Sequence, residues 1–246
     1  MALPADSSAE SRAPLSRARV LRTAIGLADR DGIGSMTMRK LAQELGVEAM
    51  TLYYYASNKD DILSGMVDIV VGEIELPLPN SDWKAAIRMT AISAHDVLQR
   101  HTWAASLMLS SSGVSDARLR YMDALLGSLR RGGFSAEMTD HAYHALESHI
   151  IGFTLWVVGM NLGTEEDLAA LATNFLADLP RDRLPYLAEH VEQHLKPRRP
   201  DDAGSFVFGL DLILDGLERI RVPADGLATL PPTNQDRLGR SGGPAG

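Results

Sequence analysis

Helical periodicity, interrupted often by Gly and Pro, runs through this chain from residue 15 to residue 222. Apolar residues recur at steps of one, three and four, as between Val20 and Ala28, and no stretch sustains the period of two that marks a β-strand. Gly and Pro divide the pattern into separate helices. The sequence therefore predicts an all-α fold, with helices over about 16–31, 37–45, 48–55, 59–75, 82–100, 103–110, 115–131, 136–162, 165–178, 184–195 and 205–221.

The ends of the N-terminal helices carry capping signals. Ser16, Thr37 and Asn58 each precede a helical stretch, where a side-chain oxygen can accept a hydrogen bond from a free backbone N–H. Gly32 and Gly46 each follow one, and a glycine there can adopt the left-handed conformation that ends a helix. We therefore expect four helices within the first 75 residues, of which the second and third are short.

The composition predicts a folded core with loose ends. Of 246 residues, 45% are hydrophobic and 23% are charged, which is typical of a globular protein. Residues 1–14 are small and polar, and residues 223–246 are rich in Pro and Gly, so we expect a disordered lead and a flexible tail. Between them we predict a small N-terminal unit at 15–62, a linking helix at 59–75 and a larger unit at 63–222.

Several classes of protein are excluded or made less probable by what the sequence lacks. There is no cysteine, which rules out disulfides, thiolate metal sites and a cysteine nucleophile. Residues 1–14 lack the apolar segment of a secretory signal. The uncharged run from Ser148 to Thr164 has the length of a membrane span, but it contains His149, Asn161 and several glycines. We interpret it as a buried helix and expect a cytoplasmic protein without a membrane partner.

Charge is distributed unevenly along the chain. The formal net charge is -8, which taken alone argues against a partner as anionic as nucleic acid. Residues 1–64, however, carry eight basic and eight acidic side chains, whereas residues 65–246 carry 16 basic and 24 acidic ones. The acidic excess therefore belongs to the C-terminal unit, and the N-terminal unit is neutral.

The segment from Thr37 to Tyr55 is the most informative part of the sequence. Two short helices separated by Gly46 have the plan of a helix-turn-helix, whose second helix enters the major groove of DNA. Leu41 and Leu52 are among the apolar residues that can lock these helices together. The remaining side chains of the second helix would then face outward.

These outward side chains suit a DNA duplex. Thr51 can donate to a phosphate or present its methyl group to thymine, and a tyrosine combines a hydroxyl with an apolar ring. Basic side chains at the starts of the neighbouring helices can meet phosphates, because a helix N-terminus favours an anion. An aromatic corner of the core is the competing interpretation, which three consecutive tyrosines followed by Asn-Lys disfavour. The predicted DNA-binding residues are Arg39, Lys40, Ala49, Met50, Thr51, Tyr53, Tyr54, Tyr55 and Lys59.

The segment that starts at Thr37 resembles the DNA-binding domain of the tetracycline repressor (TetR) family. The shared pattern is Thr-x-Arg-Lys-Leu-Ala-Gln-x-Leu-Gly-Val-x-x-x-Thr-Leu-Tyr-x-Tyr/His-x-x-Asn-Lys. Further similarity occurs at 81–83, 133–135, 152–155 and 206–218, so that the resemblance covers roughly 15–222.

The resemblance implies a particular architecture and mode of action. Family members are all-α homodimers in which a three-helix DNA-binding head is joined by a fourth helix to a ligand-binding and dimerisation domain. Two long helices of each subunit build the interface, and the candidates here are 136–162 and 205–221. Two recognition helices imply a palindromic double-stranded operator with half-sites about 34–36 Å apart. A ligand that prefers another separation of the heads would release the DNA.

The residues that hold magnesium–tetracycline in some family members are not matched here. The position of the metal-binding histidine falls on Met108, and that of the acidic residue linked to metal hydration falls on Met160. A thioether is a poor ligand for magnesium. The drug-contacting asparagine and phenylalanine fall on Thr90 and Ala94, and the histidine that ends the fourth helix falls on Glu75. We therefore expect neither a metal cofactor nor a metal–tetracycline complex.

A small, hydrophobic or weakly polar organic effector is the ligand that we expect instead. Methionine and aliphatic side chains suit an adaptable apolar cavity. Plain core packing is the competing interpretation for each residue taken singly. The predicted effector-binding residues are Thr90, Trp103, Met108, Leu125, His144, Ser148 and Ile151.

The functional expectation is thus a ligand-responsive repressor, with an activator or a ligand-independent DNA-binding regulator as the alternative. His190 with His194, and His141 with His144, have spacings that place two imidazoles on one helix face, but their acidic surroundings favour a solvated surface over a metal site. The sequence has no Gly-rich phosphate loop, paired-carboxylate site or nucleophile elbow. An all-α enzyme is the least favoured alternative, and we expect no catalytic residues.

Overall fold

A computed structural model of the chain describes residues 14–78, 81–110, 115–159, 165–193, 195 and 204–221. The predicted lead before residue 14, the predicted tail at 223–246, Met160 and His194 lie outside the described residues. Every regular element within the described ranges is helical, which confirms the all-α fold. None of the helices in these ranges is long and apolar enough to cross a bilayer.

Helix boundaries follow the sequence pattern closely. The α-helices are α1 (Arg17–Asp31), α2 (Met38–Leu45), α3 (Lys59–Val71), α4 (Trp83–Arg100), α5 (Thr102–Ser110), α6 (Asp116–Arg131), α7 (Ala136–Gly159), α8 (Glu165–Asp178), α9 (Pro185–Gln193) and α10 (Gly204–Ile220). A 3₁₀ turn lies at Ile33–Ser35, and a 3₁₀ helix at Ala49–Tyr54, which we call the recognition helix, takes the place of the third predicted helix. Most described boundaries lie within two residues of their predicted positions.

The linking helix is shorter than predicted. α3 ends at Val71 rather than at Glu75, because the N–H groups of Glu73 and Ile74 bond to carbonyls three residues back and the chain forms a tighter turn. Ile74 is buried at the end of this turn, and the backbone N–H of Glu75 donates to Ser93 Oγ of α4 at 2.9 Å. The turn therefore fastens the end of α3 to the following helix.

The N-terminal head consists of α1, α2 and the recognition helix, together with the start of the linking helix α3. Each predicted N-cap is confirmed, since the side chains of Ser16, Thr37 and Asn58 accept hydrogen bonds from the backbone N–H three residues ahead. Leu41 and Leu52 are fully buried in the small core between these helices. The head thus has the helix-turn-helix arrangement that the sequence pattern indicates.

The C-terminal body is arranged around α7, which packs against α4, α5, α6 and α10. Trp83 at the start of α4 meets Phe134 edge to face, with 4.9 Å between the ring centroids. Arg88 of α4 forms a bidentate ion pair with Asp211 of α10, with a shortest N–O distance of 2.7 Å. α4 also packs directly against α7, so that it contacts both helices that we predict for the dimer interface.

Helices α8 and α9 pack mainly on each other. Ala172, Leu176 and Ala188 are buried between them, whereas Leu171 and Phe175 are exposed. This pair leaves apolar surface uncovered in the single chain.

Candidate nucleic-acid interface and effector site

The turn before the recognition helix is fixed by backbone geometry. Gly46 adopts φ 69° and ψ 32°, the left-handed conformation that a side chain disfavours. The N–H of Val47 then reaches back to the Ala42 carbonyl at 3.0 Å, which closes the C-terminus of α2. This geometry sets the angle between α2 and the recognition helix.

The recognition helix buries one side and exposes the other. Leu52 is fully buried, whereas Tyr54 is 88% exposed and Met50 is 71% exposed. Tyr53 is also exposed, so that three large side chains form a cluster on the surface of the head. Exposed apolar area of this kind is a candidate interaction surface, because its removal from water is favourable. The other predicted side chains of this helix, Ala49, Thr51 and Tyr55, are half-buried.

The three basic residues that we predict to contact DNA differ in whether a carboxylate already pairs with them. Arg39 and Lys59 are exposed, and neither has an ion-pair partner among the described residues. Lys40, in contrast, places its Nζ 2.7 Å from Asp31 at the end of α1. Arg39 and Lys59 are thus free to meet phosphates, whereas Lys40 would first have to leave a carboxylate.

The N-terminus of α3 presents Lys59 in a setting of mixed charge. Asp60 and Asp61 occupy the same first turn and would oppose an approaching phosphate. Arg17 donates to Asp61, and this hydrogen bond holds the pKa of the Asp61 carboxyl below its usual value. One of the two carboxylates is therefore matched by a cation, which reduces the repulsion.

The predicted effector residues separate into two groups. Thr90, Met108, Leu125 and Ile151 are buried on α4, α5, α6 and α7, four helices that pack around one core. Thr90 is fully buried, yet its Oγ1 has no hydrogen-bond partner. A buried hydroxyl left unpaired costs about 1–3 kcal/mol, so a group that paired with it would bind favourably.

Trp103 is buried, but it faces the head rather than the predicted effector core. Its indole N–H donates to Asp29 Oδ1 of α1 at 2.6 Å, and His101 Nδ1 lies 2.9 Å from the same oxygen. Both ring systems thus join the body to the head. No local pattern in the sequence could reveal this contact, because the partners are more than 70 residues apart.

His144 and Ser148 are not brought together with the four buried residues. Both are exposed on the outer side of α7, and His144 Nε2 lies 3.5 Å from Asp140 of the same helix. They belong to an exposed stripe that continues through Gly152 to Trp156. Within the ranges that the structure describes, no three His, Cys, Asp or Glu side chains are placed to hold a metal ion.

Sequence reasoning missed a half-buried acid, Glu147, between α6 and α7. The hydroxyl of Tyr121 donates to Glu147 Oε1 at 2.6 Å, and burial raises the pKa of Glu147. Burial also raises the pKa of Tyr143, one turn earlier on α7, to about 12. The available signal was weak, since Glu147 follows the buried Leu146 in a stretch that also contains the polar residues His144, Ser148 and His149.

A second missed group lies where α4, α7 and α10 meet. The imidazole of His95 stacks on Phe206 with 3.8 Å between centroids, and His149 stacks on the same ring at 4.9 Å. His149 Nε2 donates to the Phe206 carbonyl at 2.8 Å, whereas His95 Nδ1 is buried without a partner. Burial lowers the pKa of His95, which favours the neutral ring.

Family models match both the head and the body of the chain. A family model described as "Bacterial regulatory proteins, tetR family" matches residues 20–66. A second model, "Tetracyclin repressor-like, C-terminal domain", matches residues 76–221. The two matches fall on the head and on the body, respectively.

Individual relatives agree with this assignment. An "HTH-type transcriptional regulator" from Saccharopolyspora erythraea is 31% identical over 180 residues, which cover 67% of this chain and 76% of the relative. The "Tetracycline repressor protein class D" from Escherichia coli is 30% identical over 215 residues, which cover 84% of this chain and 90% of that protein.

A solved structure shows the same architecture. The Streptomyces coelicolor protein ActR, described as a TetR family protein in complex with actinorhodin, superposes with a TM-score of 0.69. The sequences are 26% identical, and the match covers 84% of this chain and 98% of ActR. That protein therefore has the same fold with an organic molecule bound.

Proposed function

Because the chain belongs to the tetracycline repressor (TetR) family of transcriptional regulators, we propose that it represses transcription by binding a palindromic operator as a homodimer. The family assignment makes the protein a ligand-responsive transcriptional regulator. A small organic effector would shift the dimer to a state with lower affinity for DNA, and bound DNA would lower the affinity for the effector by the same factor.

The exposed side of the recognition helix is the observation that carries the DNA-binding proposal. Met50, Tyr53 and Tyr54 project from a short helix whose opposite side is buried, and Arg39 and Lys59 lie free on the neighbouring helices. In this arrangement the aromatic and apolar groups read base edges, while the two cations bind phosphates. Lys40, Ala49, Thr51 and Tyr55 complete the proposed interface.

Exposed stripes on α7 and α10 support the homodimer. Phe208 is 68% exposed and Leu212 is 56% exposed on α10, and Trp156 is exposed on α7. Ala145, Ser148 and Gly152 are small residues along the same side of α7, where they allow a second helix to approach closely. A second copy would cover these residues in a four-helix interface. His144 and Ser148 would then lie at or beside this interface.

We place the effector in the core of the body, beside Thr90. Thr90 offers an unpaired hydroxyl, and Met108, Leu125 and Ile151 are buried apolar residues on the three helices that pack against α4 in this core. A ligand with one hydrogen-bonding group and a hydrophobic body would satisfy the hydroxyl and displace the flexible methionine side chain. Trp103 would take part by joining this region to the head.

Two further assignments follow from the operator-binding proposal. The named relatives are transcriptional regulators, so we assign no catalytic residue and no resident cofactor to this chain. A cytoplasmic location follows from access to the operator. An activator, or a regulator without an effector, would use the same interface and remains the competing assignment within the family.

A test begins with a duplex that the protein selects from a random library. A panel of hydrophobic metabolites is then screened for release of this duplex and for a shift in melting temperature.

Thr90→Val should raise the stability of the free protein by about 1–3 kcal/mol, because an unpaired hydroxyl is removed, and should require more effector for release. Thr139→Val is the matched control, because its Oγ1 is also buried and unpaired, and it should stabilise the protein without changing the response. If no compound releases the duplex, or if Thr90→Val responds as the parent does, the effector proposal is wrong.

A further inference from the structure

The recognition helix needs support from other parts of the head. It has only six residues, it is a 3₁₀ helix, and no side chain caps its N-terminus. A helix this short is not stable by itself, since few hydrogen bonds offset the cost of ordering its backbone. Leu52 anchors its buried side. Its C-terminal carbonyls require partners from elsewhere.

Arg17, in the first turn of α1, supplies one such partner. Its Nη1 donates to the backbone carbonyl of Tyr55, the residue that caps the recognition helix, at 2.7 Å. The same guanidinium donates to both carboxylate oxygens of Asp61 on α3, at 2.6 and 3.3 Å. One side chain therefore links three elements of the head, and we call these contacts the Arg17 bridge.

Asp61 is in turn fixed by the chain that follows the recognition helix. Its Oδ2 accepts a hydrogen bond from the backbone N–H of Ser57 at 2.8 Å, and its own N–H donates to the side chain of Asn58 at 2.8 Å. The pKa of Asp61 is lowered chiefly by the hydrogen bond from Arg17, so the carboxylate stays charged. The whole connection from Tyr55 to Asp61 is thereby held by hydrogen bonds.

The close approach of α1 to α3 lets Arg17 reach both partners. A Cβ added at Gly65 of α3 would lie 2.8 Å from Leu21 Cδ1 and 3.4 Å from Arg17 Nη2. A side chain larger than that of glycine would therefore displace Leu21 of α1.

We propose that Arg17 and Asp61 act together as positioning residues that set the orientation of the recognition helix for DNA. This inference rests on the proposed DNA-binding function and adds to it, because neither residue belongs to the proposed interface. The geometry favours Arg17 as a bridge rather than as a phosphate contact, since its guanidinium already donates to a carboxylate and a carbonyl. Lysine cannot replace it, because an ammonium group lacks the planar fork that binds two acceptors at fixed angles.

The test measures the affinity for the duplex that the parent protein selects from a random library. The variants are Arg17→Ala, Arg17→Lys, Asp61→Ala and the double variant Arg17→Ala/Asp61→Ala. Arg22→Ala is the matched control, because Arg22 is exposed on the same helix and its Nε donates to the Ala18 carbonyl of that helix. Affinities are determined over a range of salt concentrations, well below the melting temperature of each variant.

We expect each single variant to bind about tenfold more weakly, because a charge-assisted hydrogen bond is lost in each. The double variant should lose no more affinity for the duplex than either single variant does, since both changes break the same bridge. The double variant removes one charge of each sign, so its dependence of affinity on salt should stay that of the parent, and Arg22→Ala should retain affinity within about twofold.

Three results would overturn the inference. Parental affinity in both alanine variants would show that the bridge does not orient the helix, even if their melting temperatures fell. Restored affinity in Arg17→Lys, with a salt slope reduced by about one in Arg17→Ala, would make Arg17 a phosphate contact. If the parent protein selects no duplex, the proposed function itself fails, and this inference fails with it.

Discussion

Charge and shape have separate roles among the residues of the proposed DNA interface. Lys59 is an exposed cation at the N-terminus of α3, where its contribution depends on phosphates that every duplex carries. Tyr54 is the most exposed side chain of the recognition helix, and its ring and hydroxyl can distinguish base edges. Substitutions at these positions should therefore change different properties of binding.

Lys59→Ala should weaken binding to all duplexes and reduce the slope of log affinity against log salt by about one. Tyr54→Ala should instead change the preferred sequence more than the total affinity. Both effects can be measured by fluorescence anisotropy on the selected duplex and on a scrambled duplex. An unchanged salt slope for Lys59→Ala, or an equal loss on both duplexes for Tyr54→Ala, would contradict this division of roles.

Glu147 makes the stability of the body dependent on pH. Burial raises its pKa in the folded chain, so the folded state holds the proton more tightly than the unfolded state does. The stability of the parent therefore falls as the pH rises from the unfolded pKa through the folded pKa. Tyr121 can still donate to the amide oxygen of a glutamine at this position.

Glu147→Gln should therefore match the parent in stability near pH 4 and exceed it at pH 8, as measured by urea unfolding at both pH values. Glu137→Gln is the control, because Glu137 is exposed in the first turn of α7. This variant should be less stable than the parent by up to about 0.5 kcal/mol at pH 8, because it weakens a favourable interaction with the helix dipole. An equal change in both variants would show that burial of Glu147 is not the cause.

At the residue scale, the sequence allows local contacts to be predicted better than distant ones. The caps at Ser16, Thr37 and Asn58 are confirmed, because a cap needs only a side chain and an N–H three residues away. Trp103 could be recognised as buried, but its contact with Asp29 depends on how α5 meets α1. Such a contact follows from tertiary packing, which no spacing in the sequence encodes.

Between elements, α7 and α10 approach each other closely at a glycine. A Cβ added at Gly209 would lie 2.6 Å from Cε1 of His149, a ring that is held by its hydrogen bond to the Phe206 carbonyl. The ring cannot turn away without losing this bond. The distance between α7 and α10 therefore depends on the absence of a side chain at position 209.

Gly209→Ala should destabilise the protein by about 1–3 kcal/mol, because the two helices must separate or the imidazole must move. Gly26→Ala on α1 is the control, since no atom lies within 4 Å of its added Cβ and alanine favours a helix. Thermal unfolding should show a lower melting temperature for Gly209→Ala and an equal or higher one for Gly26→Ala. A gain in stability at position 209 would contradict the packing described for α7 and α10.

Element boundaries could be predicted where Gly, Pro or a cap residue marks them, but α3 is an exception. Its periodicity continues to Glu75, whereas the helix ends at Val71. The last part of that pattern belongs to Ile74, which is buried through the turn that leads to α4. A buried residue in a turn and one in a helix produce the same apolar signal, so the pattern alone could not separate them.

At the scale of the whole molecule, the uneven distribution of charge along the sequence becomes a difference in charge between the head and the rest of the chain. The family match at 20–66 falls on the neutral part of the chain, and the acidic excess lies almost entirely in the rest. In the proposed dimer, an acidic body would be repelled by DNA and would favour approach through the two heads. The net charge of the chain therefore does not argue against an operator as its partner.

The resemblance predicts a division into head and body, and the effector site stays a prediction whose residues differ in burial. Thr90 is buried with an unpaired hydroxyl, as a ligand position can be, but His144 lies on the outer side of α7. Both residues occupy helical positions with similar local patterns. Which side of α7 faces the core depends on its contacts with four other helices.

The central claim is that two copies of the chain bind one palindromic duplex through their heads. The most direct measurement is the affinity and stoichiometry of binding to three duplexes: the selected palindrome, a single half-site, and the palindrome with five base pairs inserted at its centre. We predict two chains per palindrome and much weaker binding to the other two, because half a turn of DNA places the second half-site on the opposite face. Equal affinity for all three duplexes, or one chain per palindrome, would contradict the account.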